Sequence, residues 1–104
     1  MADRKFYSIF AIVNHGYADE VMTAAKVAGA RGGTIISGRG TSSKQAETLY
    51  QIMVHPEKDI VLIVATAAKK DEILHAIYKE LGFNSAAQGV TFALPVDEVV
   101  GIVE

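Results

Sequence analysis

Cysteine is absent from the 104 residues, and with it go disulfides, thiolate metal sites and cysteine nucleophiles, a composition compatible with a reducing cytosol. An excess of one charge is missing too: ten basic and twelve acidic residues leave a net charge of −2. They are scattered, so the chain has no electrostatic footprint for nucleic acid or an anionic membrane, and no nucleic acid is expected as a partner. No apolar run is long. Phe6 to Val13, behind Met1-Ala2-Asp3-Arg4-Lys5, has strand length, too short for a signal peptide or for direct membrane insertion, and a cytoplasmic location is the expectation. Aromatics are few at 8%, while half of the residues are hydrophobic. That balance suits a sheet rich in Val and Ile packed on helices and argues against disorder. The length is that of a single domain, residues 1–104, small enough that much apolar surface stays where a partner subunit can cover it.

Phe6 to Val13 is β-branched and aromatic, is bounded by Asn14-His15-Gly16, and predicts a buried first strand. From Ala18 the period changes. Ala18, Val21, Met22, Ala25 and Ala28 share one helical face, Asp19 and Glu20 sit in the first turn opposite the dipole's positive end, and Gly29 ends the helix. Thr34-Ile35-Ile36 predicts a second strand, entered through Gly32-Gly33 and left through Gly38-Arg39-Gly40. Thr41 to Glu47 is small, polar and without apolar periodicity, which predicts a water-exposed loop. Two apolar runs follow, Leu49 to Val54 and Ile60 to Ala65, with a bend at Pro56 and the second run a central strand. Ala67 to Leu81 predicts the second helix, with Ile73, Leu74, Ile77, Tyr78 and Leu81 on its apolar side, Asp71 and Glu72 early, and Gly82 as its stop. Thr91 to Leu94 and Val99 to Val103 predict two short strands around Pro95. The order is β-α-β-β-α-β plus a short extra C-terminal strand, an α+β ferredoxin-like sandwich with both helices on one face of an antiparallel sheet. Its strands are apolar at nearly every position, so the uncovered face needs a partner, and a symmetric ring of subunits is the usual solution.

The glycines of Arg31-Gly32-Gly33-Thr34 and Gly38-Arg39-Gly40-Thr41-Ser42-Ser43 fit two readings, an anion-binding backbone nest to which Arg39 adds charge, or ordinary turns. The spacing is not that of a Walker loop. His15, His55 and His75 are dispersed without metal-ligand spacing, so no metal site is expected. The acidic pairs Asp19-Glu20, Asp71-Glu72 and Asp97-Glu98 are explained by helix-end electrostatics without chemistry, and Ser42 and Ser43 lack a nucleophile elbow. No catalytic residue is assigned. Tyr50 and the hydroxyls near it fit a charge-changing modification, or Tyr50 simply begins a strand.

Ile12-Val13, Ala28-Gly29, Thr34 to Gly40, Pro56 to Val64 and above all Gly89 to Val99 together resemble the P-II nitrogen regulatory proteins over nearly the whole chain, in a divergent branch. The resemblance implies a homotrimer whose intersubunit clefts bind a small effector, with an adenine nucleotide as the candidate. A loop after the second strand would engage a regulated protein, such as a membrane transporter. Carried over, Ile12, Thr34, Arg39, Gly40, Thr41, Val64 and Gly89 fall in the cleft, and Ser42, Ser43, Lys44, Gln45, Glu47 and Tyr50 fall in the partner loop. The family's phosphate-binding glycine loop is replaced by Asn84 to Val90, with Val90 at its lysine and Gly101 and Val103 at its late arginines. Each lost charge-assisted contact is worth roughly 1.5 to 3 kcal/mol, and Arg31, Arg39, Lys44 and Lys58 are the cations offered instead. The alternative is a structural or metal-tolerance trimer like the CutA proteins, which share the architecture.

Overall fold

The two-residue period of an extended chain splits the first strand into two faces. In the computed structural model, which describes residues 4–41 and 56–102, β1 runs Phe6–Asn14. Ile9, Ala11 and Val13 are fully buried on one side of it, and Ser8, Phe10 and Ile12 point to the other. Helix α1 (Ala18–Val27) buries Ala18, Val21 and Ala25, carries Asp19 and Glu20 in its first turn and Lys26 in its last, and so complements its own dipole at both ends. It stops in a Schellman motif: the Ala30 N–H donates to the Ala25 carbonyl at 2.9 Å and the Gly29 N–H to the Lys26 carbonyl at 3.0 Å. Gly29 takes a φ of +113°, a conformation that strains any residue with a Cβ.

Strand β2 (Thr34–Arg39) and strand β3 (Glu57–Thr66) pair with each other, helix α2 (Ala67–Leu81) follows β3 directly, and β4 (Val90–Val96) completes the sheet. The strand order is β2-β3-β1-β4 and every neighbouring pair is antiparallel. This is the expected ferredoxin-like α+β fold. Ile9, Val13, Val61 and Ile63 from the sheet meet Val21 of α1 and Ile73 and Ile77 of α2 in one core, each side chain worth about 1.5 to 3 kcal/mol of burial.

Several boundaries differ from the sequence reading. Gly38 and Arg39 belong to β2, opposite Lys58 and Glu57, because pairing with β3 extends a strand that local composition alone ends at Ile36. Glu57 to Asp59 likewise belong to β3 and not to the bend, which among the described residues holds only Pro56. Pro95 lies inside β4, tolerated because β4 is an edge strand. The extra C-terminal strand is absent over residues 97–102. No strand among the described residues pairs with this stretch, and Gly101, at φ +98°, bends it. The first turn of α2 carries no acidic residue, since Asp71 and Glu72 fall one turn in. Tyr78 is 66% exposed, on the flank of α2 that α1 leaves uncovered. Gly82 ends α2 in an extended conformation and is needed for space, because a Cβ there would sit 2.7 Å from the Tyr78 carbonyl oxygen. The run Leu49 to Val54 lies outside the described residues.

Candidate functional site

The strand registers place Ser8, Phe10 and Ile12 of β1 in rows with Val64, Leu62 and Ile60 of β3 and with Leu94, Phe92 and Val90 of β4. Thr34 and Ile36 of β2 join the same face opposite Leu62 and Ile60. This is the face without helices. Val90 is 53% exposed, Leu94 50% and Ile36 44%, and Phe10 stacks on Phe92 with ring centroids 5.2 Å apart. A contiguous apolar surface of this kind marks an interface.

At one end of that face, where β1 ends and β3 begins, the chain builds a polar network. Asn14, buried to 6% exposure, donates from Nδ2 to the Ala86 carbonyl at 3.1 Å and to Gln88 Oε1 at 3.2 Å, and its Oδ1 accepts from Lys58 Nζ at 2.7 Å. Lys58 runs alongside Gly38 and Gly40, and a Cβ on Gly40 would lie 3.0 Å from its Cε. The Gly40 N–H donates to the Pro56 carbonyl at 2.6 Å, which closes the base of the segment between them. On the other side of β3, Asp59 accepts the Gly16 N–H at 3.0 Å and pairs with His15 Nδ1 at 3.0 Å. The Gly16 amide, followed by the imidazole, holds the Asp59 carboxyl below the ordinary value of 3.8. The hydrogen bond and the charge of Asp59, with a smaller contribution from Glu57, raise His15 above 6.5.

Those opposite shifts set a pH window. The Asp59 contribution to stability is complete above its unfolded value and is lost as pH falls through its depressed folded value. The His15 contribution is complete below its unfolded value and is lost as pH rises through its raised folded value. The pair therefore stabilises most between pH 3.8 and 6.5. Thermal melts across pH should show the difference between the wild type and His15→Gln largest in this window and shrinking above neutrality. A difference independent of pH would contradict the linkage.

At the opposite end, where β3 passes into α2, lies a cavity of about 580 Å³. Phe6, Leu62, Val64 and Ile102 form its apolar wall, Gly29 to Gly33 its backbone rim, and Thr34, Thr66, Arg31 and Lys69 its polar groups. Gly33 makes the close approach of that rim to the sheet, since a Cβ on it would meet the Leu62 carbonyl at 2.9 Å.

The residues expected in the cleft thus divide into two sets. Ile12, Arg39, Gly40, Thr41 and Gly89 fall at or near the Lys58 end, Gly89 being bridged to Gly82 so tightly that a Cβ would collide with the Leu81 carbonyl. Thr34 and Val64 line the far cavity. Lys58 and Val64 are six residue steps apart along β3, about 20 Å, so one chain does not bring the two sets together. Ser42, Ser43, Lys44, Gln45, Glu47 and Tyr50 lie outside the described residues. Asn14, the His15–Asp59 pair and Lys69 were not anticipated. The first three become visible only once β1 is paired with β3, which sets Asn14 opposite Lys58 and Val13 opposite Asp59. Among the described residues no group of three metal-ligating side chains converges, and no helix is long and apolar enough to cross a membrane.

A sequence model described as nitrogen regulatory protein P-II matches residues 6–104. Among solved structures, the crystal structure of Arabidopsis thaliana PII bound to citrate superposes with a TM-score of 0.71 at 26% identity, covering 96% of this chain and 82% of that one. No curated protein sequence matches at a significant level.

Proposed function

Since the chain belongs to the P-II family of nitrogen regulatory proteins, we propose that it is a signalling trimer, not an enzyme, which binds a small effector between subunits and regulates a partner protein through the loop after β2. The observation that carries this reading is the division of the expected ligand residues between the two ends of an uncovered apolar face. Burying that face against neighbours is how a small domain removes exposed Val90, Leu94 and Ile36 from water. The same packing lets the Gly40 and Gly89 end of one subunit meet the Thr34 and Val64 end of the next. Effector binding then biases the loop that Gly40 and Pro56 close at its base, provided the ligand binds one loop state better than the other. The loop residues Ser42 to Tyr50 would contact the regulated protein, a membrane transporter being one such partner.

The ligand is an adenine nucleotide or a small carboxylate, the second suggested by the citrate in the Arabidopsis structure. With Val90, Gly101 and Val103 in place of cations, the long triphosphate of ATP is expected to bind more weakly than a monophosphate. Calorimetric titration of the trimer with ATP, ADP, AMP, cyclic dinucleotides and citrate tests the reading. Saturable binding of at least one, with one site per chain, is the expected result, and no heat from any of them would remove the effector.

A further inference from the structure

Asp59 puts a carboxylate on the helix-covered side of β3, in line with Val61 and Ile63 of the core. A buried carboxylate needs hydrogen bonds and an opposite charge. The Gly16 amide supplies a hydrogen bond, and the one cationic partner of Asp59 among the described residues is His15. Gly16 turns its N–H to the carboxylate at a φ of +102°, which a side chain would strain. The two members of the pair differ in their access to water: the Asp59 side chain is 8% exposed and the His15 imidazole 64%. The imidazole therefore exchanges its proton freely with solvent, while the carboxylate that feels its charge stays sheltered.

Beside the imidazole lies a hollow of about 380 Å³, lined by Pro56 and Glu57 where β3 begins, Asn14 of β1, Tyr17 ahead of α1 and Ala86 of the loop before β4. Asp59 and Glu57 are the charged neighbours of the ring and Tyr17 the other titratable one, whereas Lys58 turns to Asn14 Oδ1. Protonated, His15 neutralises the buried carboxylate. Deprotonated, it offers a neutral hydrogen bond, and only as the Nδ1–H tautomer. We propose that His15 and Asp59 form a pH-sensitive clasp, closed when the imidazole is protonated, that holds the β1–α1 turn against the start of β3. The turn is the element with two states, docked and released. Its release reaches the Gly89 end of the helix-free face, because Asn14 precedes His15 in the chain. The Asn14 N–H donates to the Ala87 carbonyl at 2.9 Å, and the Asn14 side chain ties Lys58 to Ala86 and Gln88.

Nuclear magnetic resonance of the ligand-free protein, carried from below to above the His15 titration, tests the clasp. The His15 ring protons give the midpoint. The Gly16 amide and the Asn14 side-chain amide are expected to shift with that midpoint. Exchange protection of the Gly16 amide should fall about threefold or more as the imidazole loses its proton. His15→Gln keeps a neutral donor and should abolish the transition at Gly16, while His75→Gln, on α2, should leave it as in the wild type. Protection of Gly16 that is constant through the titration, or equally pH-dependent in His15→Gln, would overturn the clasp. An Asn14 amide that ignores the midpoint while Gly16 follows it would overturn the link to the Gly89 end. No ligand enters the measurement, so failure here leaves the effector reading standing.

Discussion

Replacing Phe92 and Leu94 together by aspartate is expected to convert the proposed trimer into folded monomers. Both side chains lie on the helix-free face of β4, 40% and 50% exposed in the single chain, so neither supports the core formed by Ile9, Val13, Ile63, Ile73 and Ile77. In the assembly each would be buried against a neighbour, where a large apolar side chain contributes about 1.5 to 3 kcal/mol. An unpaired carboxylate in the same place costs several kcal/mol more. Because symmetry repeats the loss in every subunit, the association constant should fall by many orders of magnitude. Light scattering should report the mass of one chain, while circular dichroism and the melting transition remain those of an ordered α+β domain. A variant that stays trimeric would place the interface elsewhere. One that unfolds would mean that these side chains support the fold of the subunit itself.

The second large effect is on stability. Gly89→Ala is expected to destabilise the fold by about 2 to 4 kcal/mol, in the range of severe overpacking. The added Cβ would collide with the Leu81 carbonyl, which is backbone at the end of α2 and has no rotamer to yield, and would press on Leu81 C at 3.1 Å and Val13 Cγ1 at 3.2 Å. Relief requires separating the Gly82–Gly89 bridge, which also positions Gln88 against Asn14. Gly32→Ala is the matched control, because a Cβ at that position meets nothing within 4 Å, and it should change stability by less than about 0.5 kcal/mol. Denaturant unfolding of the two variants separates these outcomes, and equal midpoints would contradict the packing account.

Local periodicity was sufficient for the helices. Ala67–Leu81 and the Gly29 stop of α1 coincide with the structure, since i, i+3, i+4 spacing and a left-handed cap are properties of neighbouring residues. Strand ends were not legible in the same way. Gly38-Arg39 and Glu57 to Asp59 read as turn residues, and only their mutual pairing makes them strand. The expected C-terminal strand is missing over residues 97–102 for the same reason in reverse, as Val99 to Ile102 has strand composition and no pairing partner among the described residues. The site was half legible. Gly40 and Gly89 are visible as glycines in suggestive places, and the helix-free face follows from strands that are apolar at consecutive positions. The Asn14–Lys58 and His15–Asp59 contacts each span 44 residues and depend on the register of β1 against β3.

In the proposed assembly three copies cover the helix-free face and thereby complete the cleft. Light scattering on the wild-type protein through a dilution series down to low micromolar concentration tests it most directly. A mass three times the 11.1 kDa of the chain, holding through the series, is the predicted result; a folded species at the mass of one chain would contradict it.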